Sequence, residues 1–228
     1  MKIFLSMMIA AAVSLNAVLF AQSNETAKVE KANEVIEDIM DIPEKSIPPQ
    51  LMKDAYGIAI IPDVLKVGLD LGGRYGKGIL VVNNPHENWS NPTFITLTGG
   101  SIGWQIGVQS TDILLVFRNK KSVDAILEGK FTLGVDASIA VGPVGRHVGA
   151  KTDIEFKAEI YSYSQSRGLF AGIAIEGAAL QIDHDANDDF YNNRKITPEE
   201  ILWGHVPNAP DCAQELRRTL SKYAKRSE

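Results

Sequence analysis

The chain has 228 residues, with 45% apolar and 22% charged side chains and a formal charge of −5. That apolar content can bury a core and excludes disorder as the default state. The acidic balance excludes broad nucleic-acid binding, which needs Lys and Arg to neutralise phosphates, and argues against an extended electrostatic grip on anionic membranes. With Cys212 as its one cysteine the chain forms no intrachain disulfide, and a lone thiol reads as buried and inert.

Residues 1–21 differ from the rest. Lys2 precedes an uncharged apolar run, Ile3 to Phe20, which ends at the small residue Ala21 before the polar Gln22-Ser23-Asn24-Glu25. A positive start, an apolar stretch and a small final residue predict a secretory signal peptide, and so an exported protein of the periplasm or cell envelope. A retained anchor is the alternative, because the run has roughly the minimum spanning length. No cysteine stands near the junction to be lipidated.

Residues 22–50 predict an amphipathic helix and a Pro-rich connector. Val29, Ala32, Val35, Ile36, Ile39 and Met40 recur at helical spacing among Glu30, Lys31, Glu34, Glu37 and Asp38, and Pro43 and Pro48-Pro49 end the pattern. The acidic polar face suits a helix packed on the body better than one lying on a membrane. A short helix at Pro49–Ala55 follows.

Residues 51–192 hold eighteen of the nineteen glycines, between Gly57 and Gly177. Between them lie strand-like runs: Gly57–Ile61, Val67–Gly73, Gly78–Val82, Phe94–Thr98, Ile102–Gln109, Ile113–Phe117, Leu133–Val141, Asp153–Tyr163 and Phe170–Gln181. Short strands without helices at βαβ spacing predict antiparallel neighbours, and glycine bends let such a sheet curl. The expected class is α+β: a strongly curled, barrel-like antiparallel sheet with flanking N- and C-terminal helices. One helix, Asn119–Glu128, interrupts it. Residues 193–228 predict C-terminal helices packing on the domain, one opened by Thr197-Pro198-Glu199-Glu200 and one spanning Asp211–Ala224.

Three motifs invite chemistry. Gly99-Gly100-Ser101-Ile102-Gly103 matches a nucleophile elbow, with His147 and His184 as available bases, but the residues after Ser101 have a strand period where the motif needs a helix. Gly72-Gly73-Arg74-Tyr75-Gly76-Lys77-Gly78 fails as a phosphate loop and reads as a hairpin turn, whose Arg74 and Lys77 are candidates for a lipid headgroup. Asp183, Asp185 and Asn187 resemble the start of a calcium loop, yet Asp188 and Arg194 stand where Gly and Glu belong, so a helix cap is favoured over a metal. The last helix carries Arg217 and Arg218 on a basic stretch, either a solvated helix end or candidates for contact with acidic lipid headgroups. Trp89, Trp104 and Phe170 are candidate lining residues for an apolar groove.

Several strings in order resemble the SYLF domain, the family of the yeast actin-binding protein. They include Gly57-Ile58-Ala59-Ile60-Ile61-Pro62, the Gly72–Gly78 string, Trp89-Ser90-Asn91-Pro92 and Gly99–Gly107, followed by Asp112–Phe117. Gly142-Pro143-Val144-Gly145-Arg146, Tyr161-Ser162-Tyr163-Ser164 and Gly168-Leu169-Phe170-Ala171-Gly172 complete them, within residues 28–192. The resemblance implies a lipid-binding domain. Eukaryotic relatives bind phosphoinositides and actin, and exported bacterial relatives look like envelope proteins with lipid affinity. The resulting expectation is a non-catalytic protein without cofactors that binds lipids or a membrane surface, not nucleic acid. Actin is not expected as a partner of an exported chain. An envelope scaffold that binds other proteins is the alternative, and a serine hydrolase using Ser101 stands behind it.

Overall fold

The computed structural model describes residues 24–44, 46–68, 71–84, 88–102, 107–129, 131–145, 157–166, 169–170, 175–204, 206–207 and 209–224. The signal-peptide segment, His147, Trp104 and the start of the Asp153–Tyr163 run lie outside them. Residues 24–41 form helix α1, in which Val29, Ala32, Val35, Ile36, Ile39 and Met40 are at most 5% exposed. Helix α2 (Pro49–Lys53) opens on a proline, whose missing N–H costs nothing in a first turn.

Strands β1 (Gly57–Gly68), β2 (Leu71–Asn84), β3 (Asn88–Trp89), β4 (Thr93–Ile102) and β5 (Gly107–Phe117) follow. Helix α3 (Lys120–Leu127) is capped by Asn119, whose side chain accepts from the Ser122 N–H. Next come β6 (Phe131–Thr132), β7 (Ile139–Val141), β8 (Ile160–Ser166), β9 (Leu169–Phe170) and β10 (Ala179–Ile182). Helices α4 (His184–Tyr191), α5 (Pro198–Trp203) and α6 (Asp211–Ala224) complete the described chain. The start of α5 is the capping box expected from Thr197 and Glu200, with each side chain satisfying the other residue's backbone N–H.

Eight strands run in the order β6-β10-β4-β2-β1-β5-β8-β7, with β3 added to β2 and β9 to β8. The sheet curls into a half-barrel, and its pairs are antiparallel except β7 with β8. Period-two alternation splits its side chains between two cores. Ile58, Ile60, Ile79, Val81, Leu114 and Val116 pack beneath α1, α2, α4 and α6. Ala59, Ile61, Leu80, Val82, Ile113 and Leu115 fill the other side with Phe117, Phe131 and residues of α3 and α5. Both faces are therefore dry, which is why Ile58–Ile61 reads as a continuous apolar run.

The Gly72–Gly78 string is not a hairpin turn, as its composition suggested. It lies inside β2, pairing with β1 on one side and with Ser101 to Ile95 of β4 on the other. Its glycines serve close approach instead of chain reversal. A Cβ on Gly78 would stand 2.2 Å from the Ile60 carbonyl oxygen and 2.7 Å from Ile61 Cα. Other boundaries shift too. The expected strand Gly57–Ile61 runs on to Gly68 in β1, the expected strand Val67–Gly73 divides between the end of β1 and the start of β2, and the Leu133–Val141 run is broken by a turn at Gly134, whose φ is +79°.

These contacts predict that Gly78→Ala destabilises the protein by about 2 kcal/mol or more, as overpacking against backbone does. Gly73→Ala, with open space around the new methyl, should stay within about 0.5 kcal/mol of the parent. Urea unfolding of the two variants checks the contrast.

Candidate functional site

Where α1 stops covering the helix face of the sheet, a groove of about 540 Å3 opens. Its walls are Asn24, Ala27, Lys28 and Lys31 of α1, Pro62, Asp63 and Leu65 of β1, and Tyr75, Gly76 and Lys77 of β2. Two local features shape it. First, β1 bulges: its register with β5 shifts between Ile61 and Val64, and Asp63 takes a φ of +50°, a left-handed conformation that Asp tolerates better than most residues. Second, Leu65 pairs directly with Tyr75 across the strands, and the two are 44% and 49% exposed.

The lysines are held by carboxylates. Lys28 Nζ donates to both oxygens of Glu25 at 2.9 and 3.0 Å, and Glu25 is itself buried. Lys31 lies 2.9 Å from Glu34, whose hydrogen bond raises its pKa against the opposing effect of burial, with the charges of Glu34, Asp112 and Asp63 adding to the rise. Lys77 lies 2.6 Å from Asp183, and that hydrogen bond likewise raises Lys77. Burial alone would raise the Asp183 carboxyl. The Lys77 ammonium and the Ala186 N–H outweigh burial and hold it below the usual carboxylate range. Behind the bulge, Asp63 N–H donates to Asp112 Oδ1 at 2.9 Å and Ser110 Oγ donates to Asp63 Oδ1 at 3.0 Å. Burial pushes the Asp112 carboxyl up; the Asp63 N–H opposes this, and the charge of Asp63 adds to it.

The residues singled out from the sequence do not gather in one place. Lys77 lines the groove, but Arg74 alternates to the opposite face of β2, where burial lowers its pKa. Trp89 is 1% exposed in the helix-side core, and its carbonyl accepts from Arg217 Nε at 2.7 Å. That contact stands six residues along β2 from Lys77, beside Asn83, roughly 20 Å away at strand rise. Arg218 is exposed on α6. Phe170 pairs with Gln165 in β9; its side chain, like Trp104, lies outside what is described. Ser101 occupies an extended position in β4 opposite Gly72, without a strand-to-helix corner at that residue.

The aspartate-rich stretch caps helix and sheet. The Asp183 side chain accepts from Ala186 N–H at 3.2 Å, as expected of a cap. Buried Asn187 accepts from Phe94 N–H at 2.9 Å and donates to Thr93 Oγ1 at 3.0 Å. Asp185 is exposed in the first turn of α4. Sequence reasoning missed Lys28, Lys31, Asp63, Leu65 and Tyr75. The exposed face of a packed helix and a bulge inside a strand leave no spacing signal, although Pro62-Asp63 interrupting an apolar run was a readable hint.

Because the folded state lowers the Asp183 pKa, the pair stabilises the protein above the ordinary carboxylate range. That contribution is lost as pH falls through the folded value. Asp183→Asn keeps a capping side chain and removes the charge. Its melting temperature should therefore fall less steeply than the parent's below about pH 4, measured by thermal scans across the acid limb.

Comparison with known proteins places this architecture. Residues 98–223 match the family profile described as "Ysc84: Las17-binding protein actin regulator". Over 212 residues the chain is 34% identical to "SH3 domain-containing YSC84-like protein 1" of Xenopus laevis, covering 90% of this chain and 63% of that protein. The Homo sapiens protein of the same name is 32% identical over 212 residues, with 61% of its length covered. "Protein YSC84" of Saccharomyces cerevisiae is 36% identical over 181 residues, 78% of this chain and 38% of the yeast protein. The chain thus spans less than two thirds of the length of these relatives. With more than half of the chain matched in order, it belongs to the Ysc84, or SYLF, family.

Proposed function

We propose that this chain is a non-catalytic phospholipid-binding protein of the bacterial cell envelope, and that it meets lipid at the groove between α1 and the β1–β2 pair. The observation that carries the reading is the half-exposed Leu65–Tyr75 pair beside Lys28, Lys31 and Lys77. Adjacent apolar and ammonium groups suit the boundary between acyl chains and headgroups, where each finds its own solvent. Interior binding has less support. Among the described residues, the face of the sheet opposite the groove is filled by its own side chains and those of α3 and α5, most of them 0–2% exposed. The apolar stripe of α1 is spent on the sheet, so α1 cannot lie on a membrane by that face without leaving its core. The uncharged run Ile3–Phe20 supports export, and the extended backbone of Ser101 near the end of β4 favours recognition over acyl transfer.

A protein-binding reading has one specific support. The matched family description names an actin regulator, and the matched stretch carries Val135, Val141 and Val144 at 76%, 60% and 42% exposure. Vesicle co-sedimentation separates the two readings. Leu65→Ser with Tyr75→Ser should retain the fold and weaken pelleting with phospholipid vesicles about tenfold, the scale of losing one buried apolar side chain. Val135→Ser with Val141→Ser should pellet like the parent. Unchanged vesicle binding by the first pair would remove the groove from the account, and lipid-independent pelleting with filamentous actin, weakened by the second pair, would favour the protein partner.

A further inference from the structure

The groove is not uniformly basic. At one end Lys28, Lys77, Glu25 and Asp183 form a balanced set: Lys28 binds both Glu25 oxygens and Lys77 lies 2.6 Å from Asp183. Cross-effects tie the two pairs together, since Glu25 acts on Lys77 and Lys28 acts on Asp183. On the adjoining strands β1 and β5, Asp63 and Asp112 bring two carboxylates together, and the lysine that faces them, Lys31, is already 2.9 Å from Glu34. Asp63 sits at the β1 bulge with a left-handed backbone and lines the groove beside Gly76 and Lys77. One wall thus offers ammoniums and its neighbour across the strand offers carboxylates.

We propose that the groove recognises a headgroup carrying both a phosphate and a primary ammonium, of the phosphoethanolamine type, with the phosphate at Lys28 and Lys77 and the ammonium at Asp63, behind which Asp112 adds a second negative charge. This rests on the groove being the lipid site. Neighbouring strands lie roughly 5 Å apart, about the distance between phosphate and ammonium across a two-carbon link. A headgroup with only negative charge meets Asp63 and Asp112 as like charges. A quaternary ammonium has no N–H to donate to these carboxylates, whereas a primary ammonium has three. The volume of about 540 Å3 falls within the range of sites that enclose small ligands, with room for the headgroup and its glycerol.

The test compares vesicles of phosphatidylcholine alone with vesicles containing added phosphatidylethanolamine or added phosphatidylglycerol. Parent protein is set against Asp63→Asn, and soluble glycerophosphoethanolamine serves as competitor. Asn accepts a left-handed backbone and still accepts from Ser110 Oγ, so the variant removes charge without removing the bulge. The expected result is strongest pelleting with phosphatidylethanolamine, weakened about tenfold by Asp63→Asn, the scale of one charge-assisted hydrogen bond. Competition by the soluble headgroup on the parent protein is expected as well, which attributes the preference to the groove and not to bilayer packing and needs no variant. Equal or better binding of phosphatidylglycerol, an unchanged Asp63→Asn, or no competition overturns the headgroup assignment and leaves the lipid reading standing. No pelleting with any vesicle overturns the lipid reading itself, and this assignment with it.

Discussion

Ile58 and Ile60 turn toward the helices while Ala59 and Ile61 turn the other way, and neither set reaches water. Burying the central strands on both faces requires α1, α2, α4 and α6 on one side and α3, α5 and the outer parts of the sheet on the other. It also requires β1 and β2 to approach as closely as backbones allow, which is the task of Gly76 and Gly78. Two dry layers of this kind supply the hydrophobic stabilisation of a chain that has no disulfide to rely on.

That burial decides where recognition can occur. A helix that covers a sheet has no apolar stripe left for a bilayer, and a sheet with both faces covered has no open side. The residues available to a ligand are those at the margin of the helix layer, where β1 bulges away from β5 and Leu65 and Tyr75 emerge beside α1. Charge at this margin is local: lysines alternate with carboxylates, in keeping with a chain that is acidic overall. Arg217, which looks like a lipid contact when read along its helix, instead holds α6 to the Trp89 carbonyl.

Much of the architecture was legible because it is written in local patterns. The apolar stripe of α1, the Thr197 capping box and the Asn119 and Asp183 caps each depend on residues within a turn or two. The sheet was legible as a class, but its register was not. Gly72–Gly78 carries the composition of a turn, and only the partner strand reveals that its glycines mark tight packing. The site was the least legible. Lys77 was singled out, but Lys28, Lys31, Asp63 and Tyr75 converge with it through tertiary packing that no sequence spacing encodes. Arg74, three residues from Lys77, goes to the opposite face because strands alternate.

The hydroxyl of Tyr223, at the end of α6, reaches the Asp41 carboxylate at 3.3 Å, at the end of α1. From Ala27 in the groove wall to Asp41 the helix rises roughly 20 Å. Any module joined beyond the last helix would therefore be tethered at the far end of α1 from the groove. In longer members of the family, a domain appended there would engage its own partner without shading the groove, so that one chain presents two separate surfaces.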